Sequence, residues 1–137
     1  PLTPLARPVY ATVRVPGSKS ITNRALVLAA LASRDTACTL TGVLRSEDTE
    51  VMADCLHRLG YRLALDWSRE TIHVERHGSD RLVPATSADL HVANSGTTVR
   101  FLAALCSLSP GRYRLDGVPR MQERPIQDLL DALGQLG

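Results

Sequence analysis

Residues 13–32, VRVPGSKSITNRALVLAALA, combine the residue types of an anion-binding site. A short β-branched run ends at a Pro-Gly pair, the polar loop Ser18-Lys19-Ser20 follows, and an Ala- and Leu-rich run begins there. The first backbone N–H groups of a helix have no internal partner and lie at the positive end of its dipole. Lys19 adds a full charge, and Arg24 lies one turn beyond Ser20 on the same helix face. This order of residues predicts a site for a small phosphate or carboxylate.

A second polar glycine turn precedes another apolar run. Asn94, Gly96 and Thr97 lie in this turn, and Arg100 holds the place that Arg24 holds after the first turn. Gly96 allows a ligand to approach the backbone closely because it has no Cβ. Asn94 and Thr97 are expected either to contact that ligand or only to cap the helix. Arg100 is expected either to bind the ligand or to pair with a carboxylate inside the protein.

A third cation, Arg124, precedes a proline. Proline fits the first position of a helix, which predicts a helix over residues 125–136 with Arg124 at its N-cap. A charge-assisted hydrogen bond contributes roughly 1.5–3 kcal/mol, against about 1 kcal/mol for a neutral one. An arginine held at a helix start is therefore a good second contact for an anion. Glu123 and Asp128 are expected to be capping or surface groups, so no general base is identified.

Hydrophobic periodicity and turn residues predict the elements that position these side chains. The first helix is apolar on most sides, which predicts a buried helix. The second helix is expected to be capped by Ser46 or Asp48 and closed by Gly60. The predicted strands are residues 9–15, 38–40, 81–83, 90–92 and 113–115, with a hairpin formed by 61–67 and 71–75, and the predicted helices are 20–33, 49–59, 99–108 and 125–136.

Three pairs of landmarks recur at nearly constant spacing along the chain. Arg24 and Arg100 are 76 residues apart, LTGV at 40–43 and LDGV at 115–118 are 75 apart, and LHRLG at 56–60 and LGQLG at 133–137 are 77 apart. Such self-similarity indicates a duplicated unit. We expect an α/β fold of repeated β-α-β-α-β-β units, about one and a half to two of them. Unit one covers about 13–75, and unit two covers about 88–137 and stops before its hairpin.

Composition excludes several classes of protein. A chain of 137 residues is long enough for one domain with a core, and its net charge of +2 argues against a nucleic-acid partner. Lys19 is the only lysine. No apolar run has membrane length, and no signal-peptide pattern is present. Cys38, Cys55 and Cys106 lie in apolar surroundings without a C-x-x-C pair, which predicts reduced core thiols of a cytoplasmic protein.

Three segments together resemble the 5-enolpyruvylshikimate-3-phosphate synthase family of the shikimate pathway, in its N-terminal portion. They are Val15-Pro16-Gly17-Ser18-Lys19-Ser20 with Asn23-Arg24-Ala25, then Asn94-Ser95-Gly96-Thr97-Thr98 with Arg100, then Pro119-Arg120-Met121 with Glu123-Arg124-Pro125-Ile126. The resemblance implies a transferase of aromatic amino acid biosynthesis. That enzyme moves the enolpyruvyl group of phosphoenolpyruvate to the 5-hydroxyl of shikimate 3-phosphate and releases phosphate, with no metal or organic cofactor.

The resemblance also implies roles for individual residues. Lys19 is the expected catalytic residue and contacts both substrates. Ser20 and Arg24 are expected to hold shikimate 3-phosphate, and Thr97 and Arg100 are secondary candidates. The residues expected to line the phosphoenolpyruvate pocket are Asn94, Gly96 and Arg124. The general base is expected in a part of the family's sequence that this chain does not contain.

The same resemblance implies a domain organisation. Residues 1–19 are expected to belong to, or bridge toward, a second domain outside this chain, and residues 20–137 to form a partial N-terminal enolpyruvyl transferase domain. The active site of the family lies in the cleft between its two domains. A full-length member is implied to be a monomer. An unpaired strand edge recruits other chains, so this chain by itself is expected to self-associate. It is also expected to be inactive, because it lacks the general base.

Two alternative functions differ in class or in substrate. One is a non-catalytic fragment that binds phosphorylated ligands. The other is the related transferase that acts on UDP-N-acetylglucosamine, in which the lysine is followed directly by asparagine and a mobile loop carries a cysteine. Here Ser20 follows Lys19, and none of the cysteines lies in a polar glycine loop. The sequence therefore favours shikimate 3-phosphate as the acceptor.

Overall fold

The structure, a computed structural model, describes residue 4 and residues 7–136. This part of the chain contains both helices and strands, which confirms the α/β prediction. The elements are α1 (Lys19–Ala32), β1 (Cys38–Thr41), α2 (Glu47–Arg58), β2 (Leu63–Asp66), β3 (Thr71–Val74), β4 (Ser87–His91), α3 (Gly96–Cys106), β5 (Arg112–Asp116), α4 (Pro119–Gln122) and α5 (Gln127–Leu136).

The first unit contains a three-stranded antiparallel sheet in the order β1-β3-β2. The predicted hairpin is confirmed, because β2 pairs with β3 from Leu63 opposite Val74 to Asp66 opposite Thr71. Helix α2 is capped by Ser46, whose hydroxyl accepts a hydrogen bond from the Thr49 N–H in a capping box. Ser46 rather than Asp48 is therefore the cap, and α2 begins two residues before its predicted start.

The second unit is a parallel β-α-β crossover. Strand β4 pairs with β5 from Ser87 opposite Arg112 to His91 opposite Asp116, and α3 connects them. A parallel pair needs such a crossover because its strands run in the same direction. The polar turn of residues 94–97 therefore lies between the end of β4 and the start of α3.

Equivalent contacts in the two units support the duplication. The hydroxyls of Ser18 and Ser95 cap α1 and α3 in the same way, each accepting a hydrogen bond from the N–H three residues later. In each unit the turn before the helix also lies against the glycine that follows the next strand. A methyl group on Gly17 would lie 2.4 Å from the Gly42 carbonyl oxygen, and one on Gly117 would lie 2.5 Å from the Ala93 carbonyl oxygen. The repeated sequence landmarks thus correspond to repeated local geometry.

The core lies where α1, α2 and α3 pack together and against the sheets. Burying a leucine or isoleucine side chain contributes about 1.5–3 kcal/mol, so the shared core fixes the relative positions of the helix ends. Cys55 and Cys106 are buried, Cys38 is half-buried, and all three are free thiols, as predicted. No helix in the described ranges is long and apolar enough to cross a membrane. The largest fully buried apolar side chains include Leu26, Met52, Leu56, Tyr61, Ile72, Leu90, Leu102 and Leu105.

Two predicted strands are wrong, and the last helix begins two residues later than predicted. Residues 9–15 form no strand: β1 pairs only with β3 among the described strands, and Val9, Val13 and Val15 are 63%, 77% and 75% exposed. Residues 81–83 form a loop that hydrogen bonds anchor, including one from the Val83 N–H to the Ser109 hydroxyl. The last helix starts at Gln127 and not at residue 125, because the first intrahelical hydrogen bonds are accepted by the carbonyl of residue 126.

Helix α1 is buried on one side only. Leu26, Ala29 and Ala30 face the core, whereas Ile21 and Leu28 are each 66% exposed. The prediction of a helix buried on most sides is therefore wrong for the described structure. The buried side still suffices to hold the N-terminus of α1 next to α2 and α3, and these three helices position the candidate site.

Candidate anion-binding cleft

The N-terminal turns of α1 and α3 open on one cleft of about 630 Å³. Lys19 and Ser20 are the first residues of α1, and Gly96 and Thr97 are the first residues of α3. The two sets of unpaired N–H groups and the positive ends of both dipoles therefore meet at this cleft. All eight site residues that the sequence suggested line it: Lys19, Ser20, Arg24, Asn94, Gly96, Thr97, Arg100 and Arg124.

One side of the cleft is formed by the first turns of α1 and is called here the α1 wall. Its charged side chains are those of Lys19 and Arg24. The Lys19 side chain is half-exposed, and its Nζ lies 2.7 Å from Asp48 Oδ2. Arg24 lies one turn further along and is exposed; its side chain forms no ion pair with any described residue. The α1 wall thus offers one cation with a carboxylate partner and one cation available to a ligand.

Ser95 caps α3, and this frees the two polar side chains beside it. Its hydroxyl accepts a hydrogen bond from the Thr98 N–H at 3.3 Å and lies 2.7 Å from Thr98 Oγ1. Neither Asn94 nor Thr97 therefore caps the helix, and the capping alternative for these residues is wrong. Both side chains line the cleft without a hydrogen bond to the described part of the chain.

Arg100 uses its donors within the protein, but on carbonyl groups. Its Nη1 donates to the Gly96 carbonyl at 3.0 Å, and its Nη2 donates to the Pro125 carbonyl at 2.8 Å. Arg100 thereby links the first turn of α3 to the segment that carries Arg124. The carboxylate partner that the sequence offered as one alternative is wrong, because Arg100 forms no ion pair with a described residue; contact with a ligand stays a prediction.

The Arg124 guanidinium lies over Gly96 at the start of α3. A methyl group on Gly96 would lie 2.5 Å from Arg124 Nη1, which shows how closely the two residues approach. Arg124 is not the N-cap of α5, as the sequence predicted. Its backbone N–H donates to the Met121 carbonyl in the turn after α4, and α5 begins three residues later. The cation reaches the cleft because this turn folds back toward α3.

The sequence did not indicate Glu47 and Asp48 as residues of the cleft, which Phe101 also lines. Asp48 is the second residue of α2, and the sequence offered it only as an alternative cap for that helix. Its pairing with Lys19, 29 positions earlier, depends on how α1 and α2 pack and has no local signal. Glu123 lies outside the cleft, with its carboxylate 3.8 Å from Arg120, and Asp128 lies in the first turn of α5.

The balance of charge favours anions. Four cationic side chains and two carboxylates line the cleft, and two helix N-termini add to the positive potential. Preorganised donors of this kind stabilise negative charge without reorganisation when a ligand arrives. Within residue 4 and residues 7–136, no three His, Cys, Asp or Glu side chains come close enough together to hold a metal ion. The arrangement can bind a multiply charged phosphate or carboxylate ligand.

Comparisons with known proteins agree with this geometry. The family model "EPSP synthase (3-phosphoshikimate 1-carboxyvinyltransferase)" matches residues 5–137. The chain is 52% identical over 133 residues to a 3-phosphoshikimate 1-carboxyvinyltransferase of Trichormus variabilis, covering 97% of this chain and 30% of the relative. It is 51% identical over 126 residues to the protein of that name from Burkholderia multivorans, covering 92% of this chain and 28% of the relative.

A solved structure has the same fold. EPSP synthase from Acinetobacter baumannii superposes with a TM-score of 0.76 at 22% identity, over 91% of this chain and 27% of that chain. The chain thus spans about 30% of the length of the first curated relative. The family match covers the two repeated units and every residue of the cleft. The chain belongs to the EPSP synthase family.

Proposed function

We propose that the protein carrying this chain transfers the enolpyruvyl group of phosphoenolpyruvate to the 5-hydroxyl of shikimate 3-phosphate and releases phosphate. The observation that carries the proposal is the convergence of two helix N-termini and four cationic side chains on one cleft. The curated relatives are named for 3-phosphoshikimate. Shikimate 3-phosphate is for that reason proposed as the acceptor, in preference to UDP-N-acetylglucosamine.

Each wall of the cleft is assigned one substrate. Ser20 and Arg24 on α1 hold shikimate 3-phosphate, with Arg24 available because it has no ion pair among the described residues. The opposite side, the α3 wall, is formed by the start of α3 and by Arg124. There Gly96 allows phosphoenolpyruvate to approach the backbone, and Asn94 and Arg124 supply polar and charged contacts to it. Thr97 adds a hydroxyl that has no hydrogen bond within the described residues. Arg100 links the first turn of α3 to the segment of Arg124 through the Gly96 and Pro125 carbonyls.

Charge compensation is the physical task of these residues. Both substrates carry several negative charges, so they repel each other when their reacting atoms approach. Oriented N–H groups and fixed cations offset this repulsion and convert an encounter of two anions into a positioned pair. Lys19 at the start of α1 is the residue proposed to contact both substrates. Its compact ammonium group lies on a flexible side chain, so it can stay close to the negative charge as that charge shifts during the transfer.

The chain by itself is proposed to bind these anions without turnover. Of the two carboxylates in the cleft, Asp48 is paired with Lys19 and Glu47 is the first residue of α2, whereas Glu123 and Asp128 lie outside the cleft. We assign the general base, as the family resemblance implies, to sequence outside this chain, which spans about 30% of the length of the first curated relative. The transfer is proposed to need no metal or organic cofactor.

Phosphate release and calorimetry test the proposal. Full-length protein incubated with both substrates should release phosphate, whereas the 137-residue chain should bind each substrate and release none. Arg24→Met should weaken shikimate 3-phosphate binding about tenfold or more, the loss expected for one charge-assisted contact. Arg62→Met is the matched control, because Arg62 is an exposed arginine just before the hairpin and outside the cleft. Its ion pair with Glu75 is long, at 3.9 Å. Absence of phosphate release by the full-length protein, or equal effects of the two variants, would refute the assignment.

A further inference from the structure

We propose that Asp48 is a positioning residue that aims the Lys19 ammonium into the cleft and competes with anionic substrates for it. The inference rests on the proposed function. Asp48 Oδ2 lies 2.7 Å from Lys19 Nζ, and the carboxylate side chain is 20% exposed while the lysine side chain is 50% exposed. The anion cleft therefore contains a largely buried negative group in direct contact with the residue assigned to both substrates.

The carboxylate is the rigid member of this pair. Asp48 lies within the capping box in which Ser46 and Thr49 bond each other, and the Thr49 hydroxyl also donates to the Leu44 carbonyl at 2.8 Å. The Asp48 carbonyl lies 3.5 Å from the hydroxyl of Thr98, a buried residue of α3. Lysine, in contrast, carries its charge on a flexible four-carbon stem. The position of Asp48 thus decides where the ammonium group lies.

Asp48 also joins the two walls of the cleft. Its side chain reaches Lys19 on α1, and its backbone contacts the Thr98 hydroxyl, which lies 2.7 Å from the Ser95 hydroxyl that caps α3. A displacement of α2 would therefore move the Lys19 ammonium relative to both helix N-termini. This location distinguishes Asp48 from the other carboxylates of α2.

A purely stabilising role accounts poorly for this carboxylate. Ion pairs with a half-exposed partner contribute little to folding, and a negative charge in an anion cleft opposes ligand binding. Asp54 on the same helix forms a geometrically similar pair with Arg58 at 2.7 Å, but outside the cleft. The two pairs have the same N–O distance but differ in location, so comparison of their variants, together with thermal unfolding, separates positioning from stability.

The decisive variant is Asp48→Asn in the full-length protein, assayed by steady-state release of phosphate. Asparagine keeps the shape and an acceptor oxygen but removes the charge that holds Lys19. The KM for phosphoenolpyruvate should fall about three- to tenfold, the range expected when one unit charge is removed a few ångströms from an anion in a half-exposed site. The kcat should fall at least tenfold, because a displaced catalytic group loses its alignment. Asp54→Asn, the control, should change neither constant.

A conservative variant keeps the inference testable if Asp48→Asn does not fold. Asp48→Glu keeps the charge but moves the carboxylate by one methylene, so its KM should stay at the wild-type value while its kcat lies between those of wild type and Asp48→Asn. Thermal unfolding of each variant identifies any that fail to fold, and Asp48→Glu decides the question if Asp48→Asn is among them. A wild-type kcat for whichever of these variants folds would overturn the inference. Inactive wild-type protein would refute the proposed function instead.

Discussion

Gly96→Ala tests the closest contact between the two segments of the α3 wall. The added methyl would lie 2.5 Å from Arg124 Nη1 and 3.2 Å from Arg100 Nη1. Carbon and nitrogen atoms normally approach to about 3.5 Å, so the Arg124 guanidinium must retreat by about 1 Å. Because both nearby atoms are the ends of flexible side chains, the backbone of α3 does not have to move.

The magnitude follows from the contact that is weakened. A hydrogen bond between a charged donor and an anion contributes roughly 1.5–3 kcal/mol, and a 1 Å retreat removes part of it. We expect phosphoenolpyruvate binding to weaken by about 1 kcal/mol, roughly fivefold. Isothermal titration calorimetry of phosphoenolpyruvate against wild type and Gly96→Ala measures this difference, and thermal unfolding should show no loss of stability.

Gly134→Ala provides the matched control. A methyl at Gly134 in α5 meets no atom within 4 Å, so binding should be unchanged. Stability should rise by roughly 0.5–1 kcal/mol, because alanine loses less conformational freedom than glycine in a helix. If Gly96→Ala left phosphoenolpyruvate affinity at the wild-type value, Arg124 would not be a contact of the ligand. A loss of stability as large as the loss of binding would show that the methyl strikes the backbone.

Three further changes test other parts of the account. Arg100→Lys can keep only one of the two carbonyl contacts, so phosphoenolpyruvate binding measured by calorimetry should weaken about three- to tenfold, and an unchanged affinity would exclude its linking role. Gly17→Ala would place a methyl 2.4 Å from the Gly42 carbonyl oxygen, a backbone atom, so urea unfolding should show a loss of about 1–3 kcal/mol, whereas wild-type stability would contradict the close packing of this turn. Burial raises the pKa of the Cys55 thiol from 9.0 to about 12, so the unfolded chain loses this proton first and the free energy of unfolding should fall as the pH rises from about 9 toward 12. Cys55→Ala should make that pH profile flatter in urea titrations, and an identical slope would show that the thiol is not the source.

Local signals in the sequence predicted most elements and the composition of the cleft. Serine before an apolar run and glycine after a strand are signals set within short segments. Capping and turn chemistry act over a few residues, so they can be recognised without tertiary structure. For this reason α1 starts within one residue of its predicted start, and Gly96 lies in the predicted polar turn, although α3 begins there and not at the predicted residue 99.

Predictions that depended on a distant partner were wrong. Alternation over residues 9–15 is typical of a strand, but a strand exists only where a neighbour shares its hydrogen bonds, and these residues have none in the described structure. Likewise, Pro125 suits the first turn of a helix, yet α5 starts at Gln127 because the chain first folds back to hold Arg124 over Gly96. Neither partner is close in sequence.

Acidic residues of the cleft were missed for the same physical reason. Asp48 near a helix start reads locally as a cap, and only the packing of α1 against α2 brings it to Lys19. The position of Arg100 after the polar turn could be recognised in the sequence, but its partners could not. They are the backbone carbonyls of residues 96 and 125, which any residue type would supply. Charges that pair across helices must be placed by the fold before their partners can be named.

A crystal structure of the full-length protein with phosphoenolpyruvate and shikimate 3-phosphate bound would locate both ligands. Both should occupy the cleft between the N-termini of α1 and α3. Lys19 Nζ should lie within hydrogen-bonding distance of each ligand. Arg24 should contact shikimate 3-phosphate, and Arg124 should contact phosphoenolpyruvate. Ligands bound at the separate charged surface of Arg58 and Arg114, with the cleft empty, would contradict this placement.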